Sequence, residues 1–177
     1  LGSDKLYRMA VLDTPFEGMQ ANKPLEELTP DEIKQIAKDA GLVGLGGATF
    51  PTHVKLAPPP DIAIDTVIIN AAECEPFLTA DHALMLERAD DIVYGLKAFM
   101  KALGATKGII GIEDNKPDAI ENMKKAVAEN RGEYDIEIHS LHTKYPQGAE
   151  KMLIKATTGR EVPPGALPMA VNVVNQN

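Results

Sequence analysis

Thr66-Val67-Ile68-Ile69-Asn70-Ala71-Ala72-Glu73-Cys74-Glu75-Pro76 is a short apolar run that turns polar at its end. Its apolar half fits a strand buried on both faces. The strand would deliver Asn70 to Pro76 at its carboxyl end, the edge where ligands of open α/β sheets bind. Downstream, helical stretches run from about Thr79 to Glu87 and from about Asp91 to Leu103. The second carries Ile92, Leu96, Phe99, Met100 and Leu103 on one face, and Gly104 closes it. Lys107 to Ile112 reads as another buried strand, Pro117 opens a helix with Ile120, Met123 and Val127, and Tyr134 to Leu141 alternates as a strand. Strands separated by single helical crossovers imply a mainly parallel sheet. A loop from His142 to Gln147, a helix from Gly148 to Thr158, a proline-rich turn from Val162 to Pro168 and a strand from Val171 to Val174 complete the order.

Upstream, Thr29-Pro30-Asp31-Glu32 has the form of a capping box with proline at the first helical position. Ile33, Ile36, Ala37 and Ala40 then recur at helical spacing until Gly41. That glycine opens Gly41-Leu42-Val43-Gly44-Leu45-Gly46-Gly47-Ala48-Thr49-Phe50-Pro51-Thr52-His53-Val54-Lys55. Glycines at this density let backbone N–H groups turn toward a phosphate. The loop lacks the third glycine of a dinucleotide fingerprint, and Lys55 lacks the flanking residues of a Walker A motif. The expected fold class is α/β, a Rossmann-like mainly parallel sheet with flanking helices and a glycine-rich loop after the first helix. Residues 1–28 show no sustained period and read as an N-terminal arm or linker, with one α/β domain over 29–177.

Composition narrows the function. The chain has 177 residues, 44% hydrophobic and 25% charged, which suits a globular core. A formal net charge of -8 argues against a nucleic-acid partner. No run is long and apolar enough to cross a bilayer, so no direct membrane insertion is expected. The start has no signal-peptide pattern, which makes the cell interior the expected compartment. A single cysteine, Cys74, excludes an internal disulfide and a self-contained cysteine-ligated cluster.

Three loops converge on one sheet edge in this reading: Gly44 to Lys55, Asn70 to Pro76 and Tyr145 to Glu150, with Asn175-Gln176-Asn177 following the last strand. Each has a plainer alternative. The glycines could form a tight connection, Lys55 could be a solvated lysine, and Glu73 and Glu75 could be exposed loop carboxylates. At a strand's carboxyl end those carboxylates are candidates to accept hydrogen bonds from ligand hydroxyls or amides. Cys74 stands between two carboxylates that oppose thiolate formation, so it is expected to be structural. His53, His82, His139 and His142 share no metal-ligand spacing, most of them are expected at the surface, and no metal site is expected. Met85, Met100, Met123 and Met152 read as core filler.

Together the motifs resemble the flavin-binding region of RnfC, a component of the Rnf electron-transport complex that is itself similar to the flavoprotein NADH-binding subunit of respiratory complex I. The resemblance rests on Gly41 to Leu56, Ile69 to Pro76, Gly111-Ile112-Glu113-Asp114-Asn115-Lys116-Pro117, Thr143 to Lys151 and Gly159 to Pro163. It implies an FMN held by the glycine-rich loop, with NADH passing a hydride to the flavin. By position, it assigns Gly44, Gly46, Gly47, Lys55, Asn70, Glu73, Gly148, Gln176 and Asn177 to the cofactor, and Phe50, Glu75, Tyr145 and Glu150 to NADH. No side chain is assigned a catalytic role. Where complex I has glycine, aspartate and glutamate, this chain has Thr49, Ala72 and Ala149.

Members of that family carry cysteine-rich cluster motifs further on, so the chain is expected to be an excised domain. Its iron–sulfur clusters would then lie in the remaining chain or in partner subunits. The resemblance also implies partner subunits of a membrane electron-transport complex and a peripheral place on the cytoplasmic side of the bacterial inner membrane. The alternatives are a flavin-free scaffolding or nucleotide-binding module, or an RnfC-like electron-transfer protein of a soluble reductase.

Overall fold

The computed structural model describes residues 23–177; the expected arm lies outside the described residues as far as Asn22. Leu25, in a short 3-10 turn at Leu25–Glu27, is buried against Ile33, Ala37, Leu56 and Ala102, so packing begins ahead of the expected Thr29. Helix α1 (Pro30–Asp39) starts on the capping box read from sequence, with Thr29 and Glu32 bonding reciprocally. A one-turn helix, α2 (Thr52–Lys55), interrupts the glycine-rich connection.

Strand β1 (Thr66–Ala71) follows, then α3 (Ala80–Glu87), α4 (Ala89–Leu103), β2 (Lys107–Glu113), α5 (Pro117–Asn130), β3 (Asp135–Leu141), α6 (Glu150–Thr158) and β4 (Val173–Gln176). The sheet order is β3-β2-β1-β4, and every pairing is parallel. The α/β fold is therefore as expected, with the mainly parallel sheet found wholly parallel among the described strands. The final strand begins at Val173 because Pro168–Val171 forms a 3-10 turn and Asn172 adopts φ 63°, a left-handed conformation that asparagine tolerates. Helix α6 begins at Glu150, with Ala149 as its extended cap, so Gly148 belongs to the preceding loop.

Strand residues alternate between two apolar layers. Val67, Ile110, Ile112, Ile136 and Val174 pack with Met85, Val93, Leu96, Met100 and Met123 of α3 to α5. Ile68, Ile109, Leu141 and Val173 pack with Leu153 and Ile154 of α6. Met152 departs from expectation: it is 46% exposed, on the outward side of α6, and fills no core.

The chain order explains the layers. It moves from β1 outward to β2 and β3 with α3 to α5 on one face. It then returns through α6 on the other face to place β4 on the far side of β1. Between β1 and β4 the winding direction reverses, and a crevice opens there where the glycine-rich loop meets the carboxyl edge of the sheet.

Candidate functional site

A cavity of about 390 Å³ opens at that reversal, within the range of small-molecule sites. Its walls are Gly44, Gly46, Ala48, Thr49 and Phe50 of the glycine-rich loop, Lys55, Asn70, Gly148 to Glu150, the Leu167-Pro168-Met169 turn, and Val173 to Asn175 with Asn177. Asn70 and Asn175 share the α6 side of the sheet because they lie two residues beyond Ile68 and Val173, which pack there.

Asn70 joins strand to loop. Its Nδ2 donates to the Gly148 carbonyl at 2.8 Å, and its Oδ1 accepts the Ala72 N–H at 3.2 Å. A Cβ at Gly148 would fall 2.2 Å from the Ala72 carbonyl oxygen, so only glycine fits this crossing. The Gly148 N–H donates to Cys74 Sγ at 3.2 Å, which gives the cysteine the structural place expected of it.

Lys55 is the cation of the wall. Its Nζ donates to the Asn175 carbonyl at 2.9 Å and to Gln176 Oε1 at 3.2 Å. An ammonium has a third N–H, which these two acceptors leave over. Burial lowers the Lys55 pKa from the usual 10.5, and the charge of Glu150 partly opposes that shift. Glu150 Oε1 accepts a hydrogen bond from Asn175 Nδ2 at 3.3 Å.

The glycine-rich loop is pinned by the Gly44 N–H donating to the Phe50 carbonyl at 2.9 Å. A Cβ on Gly44 would come within 3.2 Å of Lys55 Nζ, and one on Gly46 within 2.8 Å of Asn177 Oδ1. These glycines keep a polar cradle open beside the lysine. Two side-chain oxygens at this end of the molecule, Thr52 Oγ1 and Asn175 Oδ1, are buried without a partner among the described residues. Glycine backbone, the half-buried Lys55 ammonium and the unpartnered Asn175 Oδ1 against the apolar Leu167-Pro168-Met169 wall fit a ligand with a phosphate at one end and an apolar body.

Of the positions expected from sequence, Gly44, Gly46, Phe50, Lys55, Asn70, Gly148, Glu150 and Asn177 meet at this cavity. Gln176 touches it indirectly, through its bond to Lys55. Gly47, Glu75 and Tyr145 do not line it, and Tyr145 is 69% exposed. Glu73 turns elsewhere: its carboxylate accepts the N–H groups of Asp81 at 3.0 Å and His82 at 3.4 Å, at the start of α3. Helix α2 is a single turn whose Thr52 N–H is spent on the Leu42 carbonyl, so it offers little dipole to an anion.

Asn175 and the Leu167-Pro168-Met169 wall are not among the positions assigned to a ligand from sequence. Asn175 carried a signal, as a polar residue ending an apolar strand, whereas the wall depends on how a proline-rich turn folds back. At the positions that depart from complex I, Ala72 belongs to the apolar layer under α6, and Ala149 lines the cavity and leaves Glu150 as its carboxylate.

Residues 37–177 match the family described as the Nuo51 FMN-binding domain. The chain is 57% identical over 166 residues to the C subunit of the Na(+)-translocating ferredoxin:NAD(+) oxidoreductase complex of Acetobacterium woodii, covering 94% of this chain and 37% of that protein. It is 46% identical over 153 residues to the C subunit of the ion-translocating oxidoreductase complex of Rhodobacter capsulatus, covering 86% of this chain and 29% of that protein. A solved structure, the NAD+-reducing [NiFe]-hydrogenase in the air-oxidized state, superposes with a TM-score of 0.72 at 26% identity, covering 97% of this chain and 32% of that one. The chain thus spans about a third of the length of the curated relatives it matches. With its parallel sheet, its cavity at the winding reversal and its glycine cradle beside a half-buried lysine, the chain belongs to the Nuo51 FMN-binding domain family and is similar to the RnfC component of Rnf-type complexes.

Proposed function

We propose that this chain holds FMN in the cavity between β1 and β4 and presents it to NADH, as the flavin domain of an Rnf-type NADH:ferredoxin oxidoreductase. The observation that carries the reading is the meeting of Lys55, Gly44 and Gly46 with Asn70 and Glu150 at the carboxyl edge of the sheet. When bound, FMN supplies the chemistry, taking up a hydride and releasing electrons singly. The chain's own residues bind and orient. Lys55 offers its remaining N–H to a phosphate, and Gly44 and Gly46 keep side chains out of the approach. Asn70 fixes the loop at Gly148, and Glu150 sets the electrostatic field around the ligand through Lys55 and Asn175. Phe50, on the cavity wall and 36% exposed, would stack on a nicotinamide or adenine ring.

Electrons would pass onward to iron–sulfur clusters in the remaining chain or in partner subunits of the complex. No helix among the described residues is long and apolar enough to cross a membrane. We place the protein on the cytoplasmic face of the membrane, held there by partners.

FMN titration tests the reading: saturable quenching of flavin fluorescence, followed by bleaching of the bound flavin under anaerobic NADH, is the expected result. A protein that neither quenches FMN nor retains colour, yet binds partner subunits, would instead be the flavin-free module.

A further inference from the structure

Glu113-Asp114-Asn115-Lys116-Pro117 marks the resemblance to the family yet contributes nothing to the cavity. Two of its charged residues are nonetheless buried, Glu113 at 1% exposure and Lys116 at 6%. A charge is kept in such a place only where it is paired and hydrogen-bonded.

The bonds of this segment reach two separate loops. Lys116 Nζ donates to the Glu73 carbonyl at 3.3 Å and to Asn115 Oδ1 at 3.1 Å, and lies 3.9 Å from Glu113 Oε2. Glu113 Oε1 accepts the Lys144 N–H at 3.4 Å. Asp114 Oδ1 accepts from the Thr143 N–H at 3.0 Å and from its hydroxyl at 2.6 Å, and Thr143 Oγ1 accepts the Asn115 N–H at 3.2 Å. One side of the segment therefore holds the loop after β1, the other the loop after β3.

Those loops carry Glu75 and Tyr145, two of the expected positions that stand off the cavity wall. Glu73 ties the first loop a second time, through its carboxylate at the start of α3. Asp81 beside it has its carboxyl pKa raised by burial and by the charge of Glu73, which Lys116 opposes. Lys116 is thus a cation among the carboxylates of Glu73, Asp81 and Glu113.

We infer that the buried Lys116–Glu113 pair is a positioning clamp: it sets the spacing of the two rim loops and thereby the dinucleotide side of the site, without touching a ligand. This rests on the FMN and NADH reading above. A charged pair serves where apolar contact would not, because directed bonds fix one register between loops that apolar surfaces would let slide.

The test uses the full-length protein. Backbone hydrogen exchange without cofactor should speed up about tenfold in both 72–79 and 142–149 in Lys116→Met, from loss of charge-assisted bonds, while β1 and β2 keep their protection. Glu113→Gln, which keeps the shape, should act in the same direction, and Asp114→Ala should loosen 142–149 alone. With FMN bound, the NADH concentration for half-maximal flavin reduction should rise about tenfold in Lys116→Met while FMN affinity stays within about twofold. Unchanged exchange in both loops of folded Lys116→Met or Glu113→Gln, or FMN and NADH dependence weakening together, overturns the clamp. A parent protein that binds no FMN overturns the functional reading instead, and does so in a measurement separate from the exchange.

Discussion

Thr49 is at odds with its own backbone. It sits at φ 48° in the wall of the cavity, a left-handed conformation that a β-branched side chain resists and that glycine adopts freely. Thr49→Gly should raise stability by about 1 kcal/mol, read as a higher urea midpoint at unchanged slope. Lys55 makes the opposite trade. Lys55→Met should weaken FMN binding by about tenfold or more, by loss of a charge-assisted bond, in a fluorescence titration.

The pH response of Lys55 gives a second handle. Because burial depresses its folded pKa, the native state holds fewer protons than the unfolded chain between that lowered value and the usual 10.5. Its contribution to stability therefore grows as pH rises through that window and is lost as pH falls through the folded value. Urea midpoints followed through the alkaline range should show that slope in the parent and not in Lys55→Met. At this scale Gly44, Gly46 and Lys55 were legible from a glycine-dense loop ending in a cation, and Asn70 from its place at the polar end of an apolar strand, whereas Gly47 of the same loop stands off the wall. Glu73 was not, because its partners are amides eight and nine residues on, at a helix start that only the folded loop brings back.

Among the elements, α1 was the easiest to read, since its stop and start are local chemistry. Thr29 Oγ1 accepts the Glu32 N–H at 3.2 Å, and Glu32 Oε2 accepts the Thr29 N–H at 2.8 Å. With Lys23 beside it, and with these capping bonds next, the Glu32 carboxyl is pulled down from 4.5 to about 2. A lowered carboxyl contributes its stability in full above 4.5 and loses it as pH falls toward about 2. Glu32→Gln should flatten that acid limb of the stability curve, measured as urea midpoints between those limits, while leaving the neutral fold intact. The last strand was harder. Val171 to Val174 holds three β-prone valines, yet the left-handed Asn172 splits them, and Pro168–Val171 turns aside to build the apolar wall.

For the molecule as a whole, the cavity exists because β4 returns to the far side of β1. A ligand seated between those strands bridges the glycine-rich loop, the sheet and α6, and stabilises only the folded state. At FMN concentrations a hundredfold above its dissociation constant the gain should be about 2.7 kcal/mol, a rise of roughly 5–10 °C in thermal midpoint by calorimetry. A midpoint indifferent to FMN would count against the cavity as the flavin site. The helices, the buried strands, the parallel winding and the glycine-rich loop were written in the order of residues, because apolar period, caps and breakers act over a few positions and survive without tertiary context. Which side chains share the cavity, that Glu73 serves a helix start and that Glu113 and Lys116 tie two loops were settled only on folding. Those outcomes depend on contacts between segments far apart in the chain, whose geometry is fixed by the packing of the sheet and its two helical layers.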